Sequence, residues 1–227
     1  MEGLSIIIPC YNEASRKDFK KRILHFQKIC NELTFPCEII YIDDGSKDNT
    51  YEILKKENQR VYSLLKNEGK YAAIEYGISF CKYDTILMID ADIEISFKNL
   101  VFTYNHSNSY PVIIGSRVYK NTNRSLFRKF LSACSHFISK NIFELPYKDT
   151  QCGFKMFKKD IYEKMRKPML CKRYLWDMEF LFKLKRLKVP IMEFRMQNPS
   201  LNQSTFKTVP MLFGSLKELF VLLKKGI

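Results

Sequence analysis

Short apolar runs alternate with amphipathic segments along the first half of this chain, and this alternation is the feature that most constrains its fold. The runs are continuously apolar, which is typical of parallel strands that helices cover on both faces. We therefore predict βαβ units and an α/β fold, with a Rossmann-like, mostly parallel central sheet. The predicted strands are Leu4–Ile8, Glu38–Ile42, Val61–Leu65, Thr85–Ile89 and Val112–Ile114, and the predicted helices are 15–33, 50–57 and 69–81. In the less regular second half, helices are predicted at 123–140, 174–187 and 212–225, and 149–157 is predicted to be a loop that leads into a strand.

Polar residues follow four of the five predicted strands at the point where each strand ends. Ligands of such sheets bind beyond the carboxyl ends of the strands, so these residues are expected to meet in one crevice. An acidic residue after the second strand could bind a nucleoside or simply complete a turn, and the sequence favours neither. The four groups are Tyr11-Asn12-Glu13, Asp43-Asp44, Asp90-Ala91-Asp92 and Ser116-Arg117.

The group with the clearest chemistry contains Asp90 and Asp92. Two carboxylates two residues apart, directly after a buried strand, can both reach one Mg²⁺ or Mn²⁺ ion, and these ions commonly share such ligands with phosphates. Glu94 can add a further oxygen, directly or through water. The alternative is a polar cap on the strand. The chain has neither a G-x-G-x-x-G nor a Walker lysine motif, which argues against dinucleotide oxidoreductases and P-loop enzymes.

The composition favours an anionic partner. The chain has 227 residues and carries 38 Lys and Arg against 24 Asp and Glu, a formal net charge of +14. This excess indicates nucleic acid, an acidic membrane surface or a phosphorylated substrate, or else only a solvated lysine-rich surface. The seven cysteines form no C-x-x-C pair, so a disulfide framework or zinc cage is not expected. No signal peptide and no apolar run of membrane-spanning length are recognised, so we expect a protein that is soluble or lies on a membrane without crossing it.

Four motifs occur in a fixed order and spacing in the first half, at 5–13, 41–50, 67–70 and 90–92. Together they resemble the motifs of the inverting family 2 glycosyltransferases of GT-A fold. Stretches of the second half resemble the branch that contains the dolichyl-phosphate β-glucosyltransferases and dolichyl-phosphate mannose synthases. They are 115–117, 124–128, 149–155 and 176–179, of which 149–155 is most similar to the glucosyltransferase members.

The resemblance implies roles for the matching residues. Those expected to bind the nucleotide sugar are Pro9, Tyr11, Glu13, Asp43, Asp44, Lys70, Asp90, Ala91 and Asp92. Those expected to hold Mg²⁺ or Mn²⁺ are Asp90, Asp92 and Glu94. Those expected to bind the acceptor phosphate are Arg117, Arg128 and Ser132, with Arg124 nearby. Those expected to be catalytic are Asp177, Glu179 and Asp92. Asp177 could instead position the donor sugar or Lys155, so proton abstraction is not assigned to it.

The resemblance also implies an activity: a metal-dependent, inverting transfer of a hexose from a nucleotide sugar to a polyprenyl phosphate. The first expectation is glucose from UDP-glucose. One GT-A domain would cover 1–227, with a donor half at 1–116 and an acceptor half at 117–227. The enzyme would be cytoplasmic or peripheral on the cytoplasmic face of a membrane. Two residues depart from the glucosyltransferase pattern, because Tyr71 replaces a glycine and Trp176 replaces a phenylalanine.

Three other interpretations remain open at this point. A family 2 enzyme could act on a glycan hydroxyl during capsule or lipopolysaccharide assembly. The charge also permits a nucleic-acid-binding module, although no recognition motif occurs, and no nucleic-acid partner is expected. An inactive homologue would be expected to lose Asp90 and Asp92. The apolar stripe of helix 212–225 fits either a membrane surface or packing on the domain, and the oligomeric state is open.

Overall fold

A computed structural model describes residues 1–57, 59–92, 96–117, 126–165, 169–196 and 208–225, without the side chains of 126–131 and 208–212. Within these residues, seven strands form one sheet and eight helices surround it. The strands are β1 Leu4–Cys10, β2 Cys37–Asp43, β3 Val61–Ser63, β4 Thr85–Ile89, β5 Val112–Ser116, β6 Phe154–Lys158 and β7 Ile191–Arg195. The helices are α1 Phe19–Asn31, α2 Thr50–Lys56, α3 Lys70–Ile78, α4 Phe97–His106, α5 Leu126–Asn141, α6 Lys159–Lys164, α7 Trp176–Arg186 and α8 Thr208–Lys224.

The sheet has the strand order β3-β2-β1-β4-β6-β5-β7. Neighbouring strands are parallel except at β6, which is inserted antiparallel between β4 and β5. Alternate residues of β1 face two separate cores: Ile7 packs with α3 and α7, whereas Ile6 and Ile8 pack with α1. The predicted α/β fold, with a mostly parallel sheet that helices cover on both faces, is confirmed.

The strand β1 runs past Pro9, where the sequence predicted its end. Pairing of β1 with β4 stops at Ile7, whereas pairing with β2 continues to Cys10. The missing N–H of Pro9 therefore costs no hydrogen bond to β4, which explains how proline is tolerated in a central strand.

Three elements were not predicted. In α4, the Ser96 hydroxyl accepts a hydrogen bond from the Asn99 amide at the helix N-terminus, a local signal that the sequence offered. The helix α6 is short, and β7 is an edge strand with charged residues, so neither carries a long apolar pattern. The predicted helix 15–33 begins only at Phe19 because residues 13–18 form a turn in which the Arg16 amide donates to the Glu13 carbonyl.

Candidate active site

The first part of the site is an ion pair at the carboxyl end of β4. Asp90 follows β4 directly, and its Oδ1 lies 2.6 Å from Nζ of Lys70, the first residue of α3. The Asp90 amide donates to the Gly153 carbonyl at 2.9 Å. A Cβ on Gly153 would lie 1.9 Å from Oδ2 of Asp90, so only glycine lets the carboxylate occupy this position.

Two lysines flank the carboxylate of Asp177 near the N-terminus of α7. Oδ1 of Asp177 lies 2.6 Å from Nζ of Lys155, and Oδ2 lies 3.6 Å from Nζ of Lys70. Lys155 comes from β6, is fully buried, and also donates to the Cys152 carbonyl at 2.6 Å. The ring of Trp176 lies below both ammonium groups, 5.3 Å from that of Lys70 and 5.9 Å from that of Lys155. The large indole at this departure from the family pattern therefore stabilises both cations.

A second charged group lies at the end of β1. Nε of Arg16 lies 2.6 Å from Oε2 of Glu13, and Nη1 of Arg16 lies 3.7 Å from Oδ2 of Asp92. The Glu13 amide donates to the Thr50 hydroxyl at 2.8 Å, which fixes the turn after β1 against the start of α2. Arg16 thus connects a predicted nucleotide-binding residue to a predicted metal ligand.

Burial and neighbouring charges shift the pKa values of this cluster in different directions. Burial would lower the pKa of Lys70, but Asp177 and Asp90 outweigh it and the pKa is raised. Burial raises the pKa of Asp92, and the charge of Asp90 raises it further. For Asp90, by contrast, burial is outweighed by Lys70 and the pKa is lowered. Burial raises the pKa of Glu13 to about 7, although Arg16 opposes the shift.

The donor atoms present suit a hard divalent cation. Asp90 and Asp92 supply carboxylate oxygens, and a bound cation would offset the burial and the repulsion from Asp90 that raise the pKa of Asp92. Within the described residues no group of three or more His, Cys, Asp or Glu side chains is arranged to hold a metal ion. The third predicted ligand, Glu94, lies outside those residues.

The predicted nucleoside residues lie beside this cluster, and two of them also hold the loops. Asp43 accepts from the Ser63 hydroxyl at 2.9 Å, and Asp44 accepts from the amides of Glu68 and Gly69 at 2.8 and 3.0 Å. Asp44 therefore fixes the segment that leads into Lys70, so any contact with a nucleoside would be additional. Of the remaining three, Tyr11 is exposed, Pro9 is partly buried and Ala91 is buried.

The predicted acceptor residues lie on the other side of β4. Arg117, directly after β5, forms a two-pronged contact with Asp149, with Nε–Oδ2 and Nη2–Oδ1 distances of 2.7 and 2.9 Å. Arg117 and Ser132 both line one cavity of about 910 Å³ between α5, β7 and the 148–151 loop. Exposed basic side chains of His136, Lys148 and Arg195 line the same cavity. Arg124 and the side chain of Arg128 lie outside the described residues.

The two predicted catalytic carboxylates of α7 have different surroundings. Residues two apart on a helix do not share a face, and only Asp177 points to the lysine pair. Glu179 is fully buried, accepts from the Leu170 and Cys171 amides at 2.9 and 2.8 Å, and lies 2.9 Å from Nζ of Lys183. The structure gives Glu179 the contacts of a residue that holds the loop before α7.

Sequence reasoning missed two members of this site. Arg16 follows the first motif by three residues, and its spacing from Glu13 was the available signal. Gly153 lies inside the 149–155 stretch, but its contact with Asp90 depends on the antiparallel pairing of β6 with β4.

Comparison with known proteins gives the class. The fold is shared with mannosyl-3-phosphoglycerate synthase of Rubrobacter xylanophilus, with a TM-score of 0.74 and 14% identity over 98% of this chain and 74% of that one. It is also shared with glucosyl-3-phosphoglycerate synthase of Mycobacterium tuberculosis, solved with Mn²⁺, UDP-glucose and phosphoglyceric acid, with a TM-score of 0.70 and 14% identity over 95% and 79% of the two chains. The fold is therefore that of the GT-A glycosyltransferases.

The sequence matches define the family. Residues 5–166 match the family described as Glycosyl transferase family 2, so the chain belongs to that family. It is similar to dolichyl-phosphate beta-glucosyltransferases of Dictyostelium discoideum, at 33% identity over 84% of this chain and 64% of the relative, and of Homo sapiens, at 32% over 84% and 65%. A Trichomonas vaginalis relative of the same description is 31% identical over 92% and 69%. The chain spans about two thirds of the length of these relatives.

Proposed function

We propose that this glycosyltransferase transfers glucose from UDP-glucose to a polyprenyl phosphate with inversion, in a reaction that uses Mg²⁺ or Mn²⁺. A polyprenyl phosphate lies in a bilayer, so the enzyme would work on the cytoplasmic surface of a membrane. In the part of the chain that the structure describes, no helix is both long enough and apolar enough to cross one.

One observation carries the choice of acceptor. Arg117 and Ser132, the described members of the expected phosphate-binding set, line the same cavity, which we call the acceptor cavity. The cavity has more basic than acidic side chains, and Asp149 and Glu193, its carboxylates, already bind Arg117 and the backbone amide of Lys148, respectively. An anionic headgroup is therefore favoured there. The names of the relatives agree with this choice of acceptor.

We call the group formed by Asp90, Asp92, Lys70, Asp177 and Lys155 the donor edge. Its residues would act on the leaving group. Asp90 and Asp92 would hold the divalent cation, which offsets the negative charge that builds on the departing diphosphate. Lys70 presents an ammonium between Asp90 and Asp177, where it can bind a phosphate oxygen of the donor. Tyr11, which is exposed after β1, is available to stack on the base.

The surroundings of Asp177 favour a phosphate acceptor over a glycan hydroxyl. A neutral hydroxyl needs a general base, whereas a phosphate monoester is already anionic and needs only orientation. Each oxygen of Asp177 faces a lysine ammonium, an arrangement that suits a residue which positions these lysines rather than a general base. Asp177 is therefore assigned to holding Lys70 and Lys155 in place.

The test is a transfer assay with UDP-glucose, Mn²⁺ and a short polyprenyl phosphate, in which the product is extracted into organic solvent. Asp92→Ala is expected to lower the rate by roughly 100-fold or more, because one of the two charges that hold the metal is lost. Asp84→Ala, which removes an exposed carboxylate at the other end of β4, is the matched control and is expected to keep the wild-type rate.

Two outcomes would overturn the proposal in different ways. Hydrolysis of UDP-glucose without transfer to the lipid phosphate would support UDP-glucose as the donor and reject the polyprenyl phosphate as the acceptor. A glycan acceptor would then be tested. No binding of UDP-glucose would reject the donor, and other nucleotide sugars would follow. Full activity after chelation of divalent cations would reject the metal.

A further inference from the structure

The helix α8 carries an apolar stripe that the other described residues leave exposed. Phe213 and Phe220 are 69% and 68% exposed, and Leu216 and Leu223 are each 51% exposed. Their spacing of three, four and three residues places them on one face of the helix. A row of four large apolar side chains in water is costly, and such rows mark interaction surfaces.

The opposite face of α8 packs on the domain. Leu222 is buried, and Leu219 packs against the core that contains α7. Gly214 approaches the ring of Tyr174 so closely that a Cβ would lie 2.2 Å from it. One face of α8 therefore packs on the domain, as one of the two sequence interpretations expected, while the other face is exposed.

Glu218, one turn before Leu222, holds the loop that precedes α7. Its Oε1 accepts from the amides of Lys172 and Arg173, and its Oε2 accepts from those of Tyr174 and Leu175, all at 2.9 Å. A carboxylate that accepts four backbone N–H groups is used to its full capacity. One side chain of α8 thus fixes four consecutive residues.

This loop, residues 172–175, also forms part of the donor edge. The Lys172 carbonyl accepts from the amide of Tyr71, beside Lys70, and it lies close to Gly69, where a Cβ would be 2.6 Å away. The loop leads directly into Trp176 and Asp177. The position of α8 is therefore connected through Glu218 to the residues around Lys70.

We propose that the exposed stripe of α8 lies on an anionic lipid bilayer, and that Glu218 couples this contact to the donor edge by holding residues 172–175. Charge complementarity selects the occupant. Lys217, Lys224 and Lys225 are exposed beside or just beyond the stripe, and none of them pairs with a carboxylate in the described residues. Glu218 is the only acidic residue of α8 and faces inward. The choice of a bilayer rests in part on the proposed function, which places the acceptor in a membrane.

The surface is tested by flotation of the full chain with phosphatidylcholine vesicles, with and without phosphatidylserine. Phe213→Ser combined with Phe220→Ser is expected to weaken binding at least ~10-fold, since two large apolar side chains leave the lipid interface. Omission of phosphatidylserine is expected to weaken it by roughly fivefold for each lysine near the surface. Leu24→Ser with Leu187→Ser, at exposed sites on other elements, is the matched control and is expected to bind as wild type does.

The coupling is tested with the fluorescence of Trp176, the only tryptophan of the chain. This residue is 1% exposed, so lipid cannot reach it directly, and a change of its emission on vesicle binding would report a change at the donor edge. Glu218→Gln keeps the size of the side chain but weakens the four hydrogen bonds. This variant is expected to bind vesicles as tightly as wild type while the emission change is lost. Reciprocity adds a check, because vesicles and UDP-glucose must change each other's affinity by the same factor.

Each other outcome overturns the proposal. Vesicle binding that ignores both the double substitution and phosphatidylserine would reject the stripe as a membrane surface. A dimer that the double substitution dissociates, without vesicle binding, would make the stripe an interface between copies of this chain. Vesicle binding with unchanged Trp176 emission in wild type would reject the coupling. None of these readouts uses glucose transfer, so an inactive transfer assay would reject the proposed function alone.

Discussion

The donor edge and the acceptor cavity use charge in different ways. At the donor edge, Asp90, Lys70, Asp177 and Lys155 form a continuous row of opposite charges, and Lys155 is fully buried. In the acceptor cavity, Arg117 is held by Asp149, but the other basic side chains are exposed to a space of about 910 Å³.

The difference indicates that the two sides meet different demands. Charges that ion pairs hold in fixed positions stabilise charge that develops in a reaction and need no rearrangement when it does. A wide, solvated cavity with exposed cations attracts an anion and tolerates variation in what is attached to it. We therefore expect the addition of a single atom at the donor edge to lower the transfer rate strongly, and a similar addition in the acceptor cavity to change the rate little.

The largest effect is expected from Lys155→Met, which would break the buried ion pair with Asp177. Removing one partner of a buried ion pair typically costs about 3–5 kcal/mol of the free energy of unfolding, because a buried charge remains. Urea denaturation measures this loss. Lys164→Met, in an exposed pair with Asp160 on α6, is the control and is expected to change stability little. If Lys155→Met lowers the free energy of unfolding no more than the control does, burial does not make this ion pair important for stability.

The next effect is expected from Gly153→Ala. The added Cβ would lie 1.9 Å from the Asp90 carboxylate and force it to move, and displacements of this size can cost ~100-fold in rate. Steady-state transfer kinetics measure the change. Ala133→Ser adds one atom at the exposed wall of the acceptor cavity, and we expect it to change the rate less than ~3-fold. Equal losses in both variants would contradict the contrast between the two sides.

A smaller effect concerns the pH dependence of stability at Glu13. Its pKa rises from 4.5 to about 7 in the folded protein, so the folded state binds the proton more tightly than the unfolded state. The stabilisation by protonated Glu13 is complete below pH 4.5 and is lost as the pH rises through about 7. Relative to Glu13→Gln, wild type is expected to lose roughly 3 kcal/mol over this range, at ~1.4 kcal/mol per pKa unit. Urea denaturation at several pH values measures it, and a flat difference would refute it.

The smallest effect is expected from Arg117→Lys, which tests the acceptor cavity. Lysine keeps the charge but loses the two-pronged contact with Asp149. The KM for the polyprenyl phosphate is expected to rise roughly 10-fold, which is the size of effect that one lost charge-assisted hydrogen bond gives. The KM for UDP-glucose is expected to stay the same. A rise confined to the UDP-glucose KM would assign Arg117 to the donor side.

The sequence predicted the five strands of residues 1–116 because their signals are local. Each parallel strand there is a continuous apolar run, and each predicted site residue follows such a run within a few positions. The strand β6, by contrast, reads Phe-Lys-Met-Phe-Lys, and no local pattern indicates that its first lysine is buried. The partner of Lys155 is Asp177, on another element, so only the assembled sheet brings the two together.

The same limit applies to the C-terminal helix. Its apolar residues extend around more than one face, so periodicity alone could not separate the packed side from the exposed side. The contacts of Glu218 with residues 172–175 separate them, and these contacts join segments more than 40 residues apart. A lone glutamate among lysines on an apolar helix was the available signal.

The position of β6 has a consequence for the order in which the protein is made. In the described sheet, β5 has only β6 and β7 as neighbours, and both are synthesised after it. A nascent chain that ends after β5 can assemble only β1 to β4, with β4 left as an open edge that can pair with other chains. When β6 pairs with β4 it closes that edge, and the Gly153 carbonyl then accepts a hydrogen bond from the Asp90 amide. The strand that closes this open edge therefore also brings Gly153 and Lys155 to the donor edge, which Asp177 of α7 completes later in synthesis.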